Sequence, residues 1–266
     1  MKILIYLLLL ASSVAFSKTK GPEPSVSLYN ITDNITVVSE NTDVQRPMAS
    51  LTKLMTAMVT LDQWQTLNET LVLDRKVKPV LPAGKYTRLE LLNALLVRSD
   101  NAAAETLAVN YPGGRSAFLE AMNNRAKGLG MIKTHFDDPS GLTNTNVSTA
   151  QDVSRMLVAS MNYPLIKKIS IQKQAQFDAY YKKKVRKVVL PNTNSKLLFE
   201  FDNIVITKTG YTTPAGFCLG LVVEQNKKFY TVVIMGTPNP MFRLNLARRL
   251  LNIDIHYNSL LDSDLK

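Results

Sequence analysis

Ser50-Leu51-Thr52-Lys53-Leu54-Met55-Thr56-Ala57-Met58 is the stretch on which the reading of this chain turns. Leu51, Leu54, Met55 and Met58 recur at helical spacing behind Pro47, which predicts an apolar helix opened by Ser50. Residues three apart share a helix face, so the Lys53 amine can reach the Ser50 hydroxyl while the apolar residues anchor the helix behind them. A serine hydroxyl is a weak nucleophile at neutral pH until a neighbouring base accepts its proton. Lysine serves as that base only when its pKa is lowered. Burial and a second cation both disfavour the ammonium, and Lys208 is the expected second cation.

Ser-x-x-Lys also occurs at Ser17, Ser170 and Ser263, so spacing alone selects nothing. Ser17 falls at a processing site, Ser170 in a Lys-rich polar stretch and Ser263 within the last four residues. Neither Ser170 nor Ser263 reads as a buried site. Two further elements follow Ser50 in order: Ser99-Asp100-Asn101, and Lys208-Thr209-Gly210 just upstream of an apolar, strand-like run. Lys-Thr-Gly occurs once in the chain.

Around these motifs, Val26–Ile31 and Ile35–Ser39 read as strands joined around Asp33-Asn34. Thr87-x-x-Glu90 forms a capping box ahead of Leu91, Leu92, Leu95 and Leu96, a helix expected to reach Ser99. Residues 102–109 read as the next helix, stopped by Tyr111-Pro112-Gly113-Gly114, and Phe118, Leu119 and Met122 mark another that ends near Gly128 and Gly130. Ser148-x-x-Gln151 is the expected cap of a helix through Leu157. The middle of the chain is therefore expected to be helical. Phe217–Val223 and Phe229–Met235 read as strands flanking a turn at residues 224–227, and Leu244, Ala247 and Leu250 mark a closing helix. Strands at both ends with helices between them predict an α+β fold: one antiparallel sheet covered by the terminal helices, a mainly helical lobe, and the three motifs lining a cleft between them.

Composition narrows the class. The chain has 266 residues, 45% of them apolar, enough for one large core, and no repeat or linker divides it. Lys2, the apolar run Ile3–Leu10 and the small residues Ala11, Ser12, Ser13 and Ala15 form a signal-peptide pattern with cleavage near Ala15 or Ser17. That assigns residues 1–17 to the signal and 18–266 to a catalytic domain exported to a bacterial periplasm. The apolar run is well short of the ~20 residues a spanning helix needs, so no stable membrane anchor is expected. A formal charge of +11 raises nucleic acid as a partner, but export and the dispersal of the basic residues argue against it. One cluster stands out: Lys182, Lys183, Lys184, Arg186 and Lys187. It reads as a solvated loop or hairpin, with an anionic wall polymer as its contact if it has one. Cys218, the single cysteine, reads as buried and structural. His135 and His256 are the two histidines and show no ligand spacing, which argues against a zinc peptidase. With no Gly-x-Ser-x-Gly elbow, His135 is expected to bond locally beside Asp137-Asp138-Pro139, and Trp64 to join the core. No metal or cofactor is expected.

At these residues the chain resembles the penicillin-recognising serine enzymes, whose shared signature is Ser-x-x-Lys, Ser-Asp-Asn and Lys-Thr-Gly. Arg46-Pro47-Met48-Ala49 ahead of Ser50, Phe136-Asp137-Asp138-Pro139-Ser140-Gly141-Leu142, Ser148-Thr149-Ala150 and Lys208-Thr209-Gly210-Tyr211 are similar to the low-molecular-mass D-alanyl-D-alanine peptidases. Asn110-Tyr111-Pro112-Gly113-Gly114 and Asn162-Tyr163-Pro164-Leu165-Ile166 are similar to the murein DD-endopeptidase branch. The resemblance spans about residues 25 to 250. The early end of the chain fits this branch too, since typical carboxypeptidase members continue into a β-rich domain and an anchoring helix.

The resemblance implies a β-lactamase/transpeptidase-like fold and a role for each motif residue. Ser50 would form the acyl-enzyme, Lys53 would act as base, and Ser99 would relay a proton to the leaving amine. Asn101 would hold the substrate amide. Lys208 and Thr209 would bind the carboxylate beside the scissile bond, and Gly210 would allow close backbone approach. The N–H groups of Ser50 and Tyr211 would form the oxyanion hole. Implied partners are peptidoglycan stem peptides, β-lactam antibiotics as covalent inhibitors, and wall-synthesis or wall-remodelling proteins. A carboxypeptidase shares every one of these features. A β-lactamase would add a deacylating glutamate in a Glu-x-x-Leu-Asn setting, which Glu105, Glu120 and Glu200 lack. A penicillin sensor would add a membrane link.

Overall fold

The computed structural model describes residues 23–63, 65–181 and 184–263. The expected signal peptide, Ser17, Trp64, Lys182 and Lys183 lie outside the described residues, as do the side chains of Lys184, His256 and Ser263. In chain order the elements begin with β1 (Ser25–Asn30), β2 (Ile35–Glu40) and β3 (Arg46–Pro47), then a 3-10 turn (Ala49–Leu51) that runs into α1 (Thr52–Asp62). Next come β4 (Thr70–Val72), β5 (Lys85–Thr87), α2 (Arg88–Val97), α3 (Asn101–Val109), α4 (Gly114–Gly128), β6 (Val147–Ser148), α5 (Ala150–Ser160) and α6 (Pro164–Ser170). The last third holds β7 (Gln174–Tyr181), β8 (Lys184–Pro191), α7 (Ser195–Glu200), β9 (Ile204–Thr212), β10 (Gly216–Gln225), β11 (Lys228–Thr237) and α8 (Pro240–Ser263).

The terminal strands do pair. A five-stranded antiparallel sheet has the order β2-β1-β11-β10-β9, with register running from Ser25 opposite Met235 to Asn30 opposite Tyr230. Its faces separate by the two-residue period of a strand. Val26, Leu28, Leu219, Leu221, Val232 and Ile234 pack on Leu244, Ala247, Leu250 and Leu251 of α8. Val222, Val233, Met235 and Cys218 point the other way into the larger core with α1 and α5. Burial on both faces explains why β10 and β11 read as near-continuous apolar runs. The connection between them is shorter than expected: Asn226 and Lys227 alone, with φ of 52° and 63°. Positive φ at both central residues is what a two-residue hairpin turn requires.

Three expectations need correction. The inner face of the sheet is covered by α5 as well as α1, so a helix from mid-chain, and not only the terminal ones, completes that layer. Gly220 makes room for it, because a Cβ there would meet Leu157 at 3.3 Å. Second, the middle of the chain is not wholly helical. Strands β4-β5-β7-β8 form a four-stranded sheet, and the described members of the basic cluster, Lys184, Arg186 and Lys187, lie on β8. Its inward residues alternate, Ala175 and Ala179 on β7, Val188 and Leu190 on β8, but the polar and basic residues between them hide the period. Third, α5 is capped by Thr149, whose Oγ1 accepts the Asp152 N–H at 3.1 Å, while Ser148 belongs to β6. The capping box of α2 is present, with Thr87 N–H donating to Glu90 at 2.7 Å and Glu90 N–H to Thr87 at 3.2 Å, but the helix stops at Val97.

Candidate active site

The nucleophile turn is shaped by its neighbours. Ala49 has φ +47°, in the left-handed region, and the turn then leads into α1, where Thr52 through Thr60 are all buried. Gly141 presses on the turn from one side: it has φ +81°, and a Cβ built on it would lie 2.0 Å from the Ala49 carbonyl oxygen. From the other side comes Gly210 of β9, where a Cβ would lie 3.0 Å from Ser50 N. Only glycine permits both approaches.

Lys53 sits behind Ser50, fully buried, its Nζ 2.8 Å from Ser50 Oγ. The same nitrogen donates to Asn101 Oδ1 at 2.7 Å and to the Ser140 carbonyl at 2.5 Å. Asp138 fixes that carbonyl, since its carboxylate accepts from the N–H groups of Ser140, Gly141 and Thr143 and from the Ser140 hydroxyl. Asn146 ties the loop to α1 through Thr52. Burial lowers the Lys53 pKa to about 7, against the opposing pull of the Asp138, Asp100 and Glu105 carboxylates. The expected help from Lys208 is not a cause of this shift. The coupling acts on Lys208, whose pKa is lowered well below its usual value by burial first and by the Lys53 charge second.

Asp100 orders the second motif. It caps α3 through Ala103 N–H at 2.9 Å and accepts Val80 and Leu81 N–H, each at 2.7 Å, so it serves the backbone while Asn101 faces Lys53. Ser99, with φ +63°, accepts from Lys208 Nζ at 2.9 Å, which links the second motif to the third. Lys208 lies within β9 itself, at the edge of the five-stranded sheet, and the apolar run downstream of it is the neighbouring strand β10. Ser50, Ser99, Asn101, Thr209, Gly210 and Tyr211 all line one cleft of about 310 Å³, with Lys53 and Lys208 buried behind it.

The same cleft includes residues that sequence reasoning missed. Thr193 accepts from the Thr209 hydroxyl at 2.7 Å, Arg243 of α8 adds a guanidinium, and Phe217 stacks on Tyr211 with ring centroids 4.2 Å apart. None carries a motif. Of the other serine candidates, Ser170 is fully buried, contrary to expectation, and its Oγ accepts the Thr207 N–H. Lys173 is directed instead over the Phe199 ring, so no second serine–lysine pair forms there. Cys218 is buried, and His135 bonds Asp137 at 2.9 Å. Among the described residues no group of His, Cys, Asp and Glu is placed to hold a metal, and no helix is long and apolar enough to cross a membrane.

A family model described as D-alanyl-D-alanine carboxypeptidase, peptidase family S11, matches residues 28–239. The chain belongs to this family. It is a hydrolase with relatives of both exo- and endo-type names. The peptidase is 37% identical over 234 residues to the D-alanyl-D-alanine endopeptidase of Escherichia coli (strain K12), covering 85% of this chain and 74% of the relative. It is 36% identical over 249 residues to the D-alanyl-D-alanine endopeptidase of Pseudomonas aeruginosa, covering 86% and 80%. The fold matches that of penicillin-binding protein D2 from Listeria monocytogenes in its ampicillin-bound form, with a TM-score of 0.75, 27% identity and coverage of 86% of this chain and 95% of that one.

Proposed function

We propose that this peptidase is a periplasmic D-alanyl-D-alanine endopeptidase, cutting D-alanyl cross-links between peptidoglycan stem peptides through an acyl-enzyme on Ser50. The observation that carries the reading is the buried Lys53 amine 2.8 Å from Ser50 Oγ. The other two partners of Nζ, Asn101 Oδ1 and the Ser140 carbonyl, are acceptors. A neutral amine gives them its two N–H groups and keeps its lone pair for the Ser50 proton.

Ser50 then attacks the D-alanyl carbonyl, and the oxyanion is received by the N–H groups of Ser50 and Tyr211, which the tight packing of Gly210 on the nucleophile turn supports. Ser99, bonded to Lys208, returns a proton to the leaving amine. Asn101 orients the substrate amide. Thr209, Lys208 and Arg243 receive the substrate carboxylate, an anion that favours the Lys208 ammonium which burial disfavours. A β-lactam presents the same carbonyl and carboxylate and acylates Ser50. The acyl group leaves slowly: Glu105 is bound to Arg115 and Glu200 to Arg248, and neither these nor Glu120 lines the cleft.

The names of the Escherichia coli and Pseudomonas aeruginosa relatives favour cutting within cross-links over trimming of chain ends. Digestion of purified sacculi followed by muropeptide separation tests this. Loss of cross-linked dimers, absent with Ser50→Ala, is expected. Trimmed pentapeptides with intact dimers would make the protein a carboxypeptidase, and no change in either would remove the peptidoglycan assignment.

A further inference from the structure

A second cavity, at about 490 Å³ larger than the catalytic cleft, opens at the opposite edge of the five-stranded sheet. It lies where β2 and β1 extend beyond α5. A sheet face under a helix is ordinarily apolar. Here the inward positions of β1 are Ser25, Ser27 and Tyr29, alternating with Val26 and Leu28, which turn to α8. The cavity floor is Ser27, Tyr29 and Ser39, and its wall is Gln151 and Ser154 of α5. The one cation on it, Arg155, is held by Asp152 at 2.6 Å, so the lining offers hydroxyls and amides without an unpaired charge. Tyr29 donates its hydroxyl to Asn34 Oδ1 at 2.5 Å, which fixes an aromatic ring in the lining. Leu129 and Val158 add apolar surface.

Neutral hydroxyl and amide groups around a fixed aromatic ring complement a ligand with polar edges and apolar faces. An anion finds no free cation there. We propose that this cavity binds the N-acetylated glycan strand of the wall polymer, a saccharide site separate from the catalytic cleft. The proposal rests on the wall-peptidase reading above and adds a hold on the polymer that the cleft does not provide. From β2 to β9 is four strand spacings, roughly 19 Å, so the cavity and the cleft sit at opposite edges of the sheet with α5 between them and can hold different parts of one polymer.

The test is titration of the mature protein with tetra-N-acetylchitotetraose, followed by NMR, for wild type, Tyr29→Ala, Gln151→Ala and Ser50→Ala. Wild type and Ser50→Ala are expected to bind, and Tyr29→Ala to bind about tenfold more weakly. Gln151 is exposed on the first turn of α5, so Gln151→Ala should weaken binding without risk to the core. Labelled-penicillin acylation of both cavity variants should stay within about twofold of wild type, while their digestion of sacculi falls about fivefold and cleavage of a soluble cross-linked peptide does not. Absence of saccharide binding by wild type, or equal binding and sacculus digestion by both cavity variants, overturns the proposal. Because saccharide binding does not need Ser50, failure of the catalytic reading shows separately, as absent acylation.

Discussion

Replacing Gly141 by alanine should disable the nucleophile without touching it. A Cβ at this position would stand 2.0 Å from the Ala49 carbonyl oxygen, about 1.4 Å inside the 3.4 Å at which ordinary contact begins. The obstacle is backbone, and it belongs to the residue before Ser50, so relief must move the nucleophile turn, the 139–141 loop, or both. Either movement breaks the serine–lysine geometry, because the loop carries the Ser140 carbonyl that holds Lys53. Misplacement of a reacting group by ~1 Å costs about 100-fold in rate. Holding alanine at φ +81° adds roughly 1–2 kcal/mol of strain. We therefore expect penicillin acylation of Gly141→Ala, followed by stopped-flow fluorescence, to be slower by about 100-fold, with Tm lower by ~2–8 °C. Gly128→Ala is the control: nothing lies within 4 Å of its Cβ position in α4, so the rate should hold and stability should not fall. Acylation of Gly141→Ala within about threefold of wild type would refute the argument that this contact sets the nucleophile.

Two further outcomes follow from groups around the site. With the Lys53 pKa lowered to about 7, the reactive neutral amine is lost as pH falls, so the acylation rate should drop about tenfold per unit below pH 7 and level off above it; Glu105→Gln removes a carboxylate that favours the ammonium, and should move this limb to lower pH. Thr87→Ala opens the capping box of α2, and should cost about 1 kcal/mol in urea unfolding while acylation is unchanged, since α2 only braces the cleft.

The candidate site was legible because the chemistry proposed for it demands particular residue types, and those types were in order along the chain. All eight expected site residues converge, and the pairing of the end strands was readable from β10 and β11, whose burial on both faces leaves an unbroken apolar pattern. What stayed hidden was whatever lacked a local signal. Residues 174–191 alternate, but alanines and basic residues blur the period, so the basic cluster reads as a solvated loop or hairpin and the sheet that the β7–β8 hairpin joins carries no sequence signal. Ser170 looked exposed among lysines, yet α6 buries it against β9. Thr193 and Arg243 reach the cleft only through tertiary structure, and Ser148 was taken for a cap because a one-residue shift leaves an equally good capping pattern. Of the two causes expected to lower the Lys53 pKa, burial acts and the Lys208 charge does not.

The register that sets Ser25 against Met235 has a consequence for how the molecule comes into being. The central strand β11 sits between β1, the first to be synthesised, and β10, its hairpin partner, so the sheet stays open in its middle until about nine-tenths of the chain has been made. Until then the edge of β1 that β11 will occupy is unsatisfied, the kind of template that recruits other chains. Closing a loop of some two hundred residues late in assembly makes for slow, topology-limited folding. The element that shuts this window is the tight Asn226-Lys227 reversal, which delivers β11 directly from β10 into the gap.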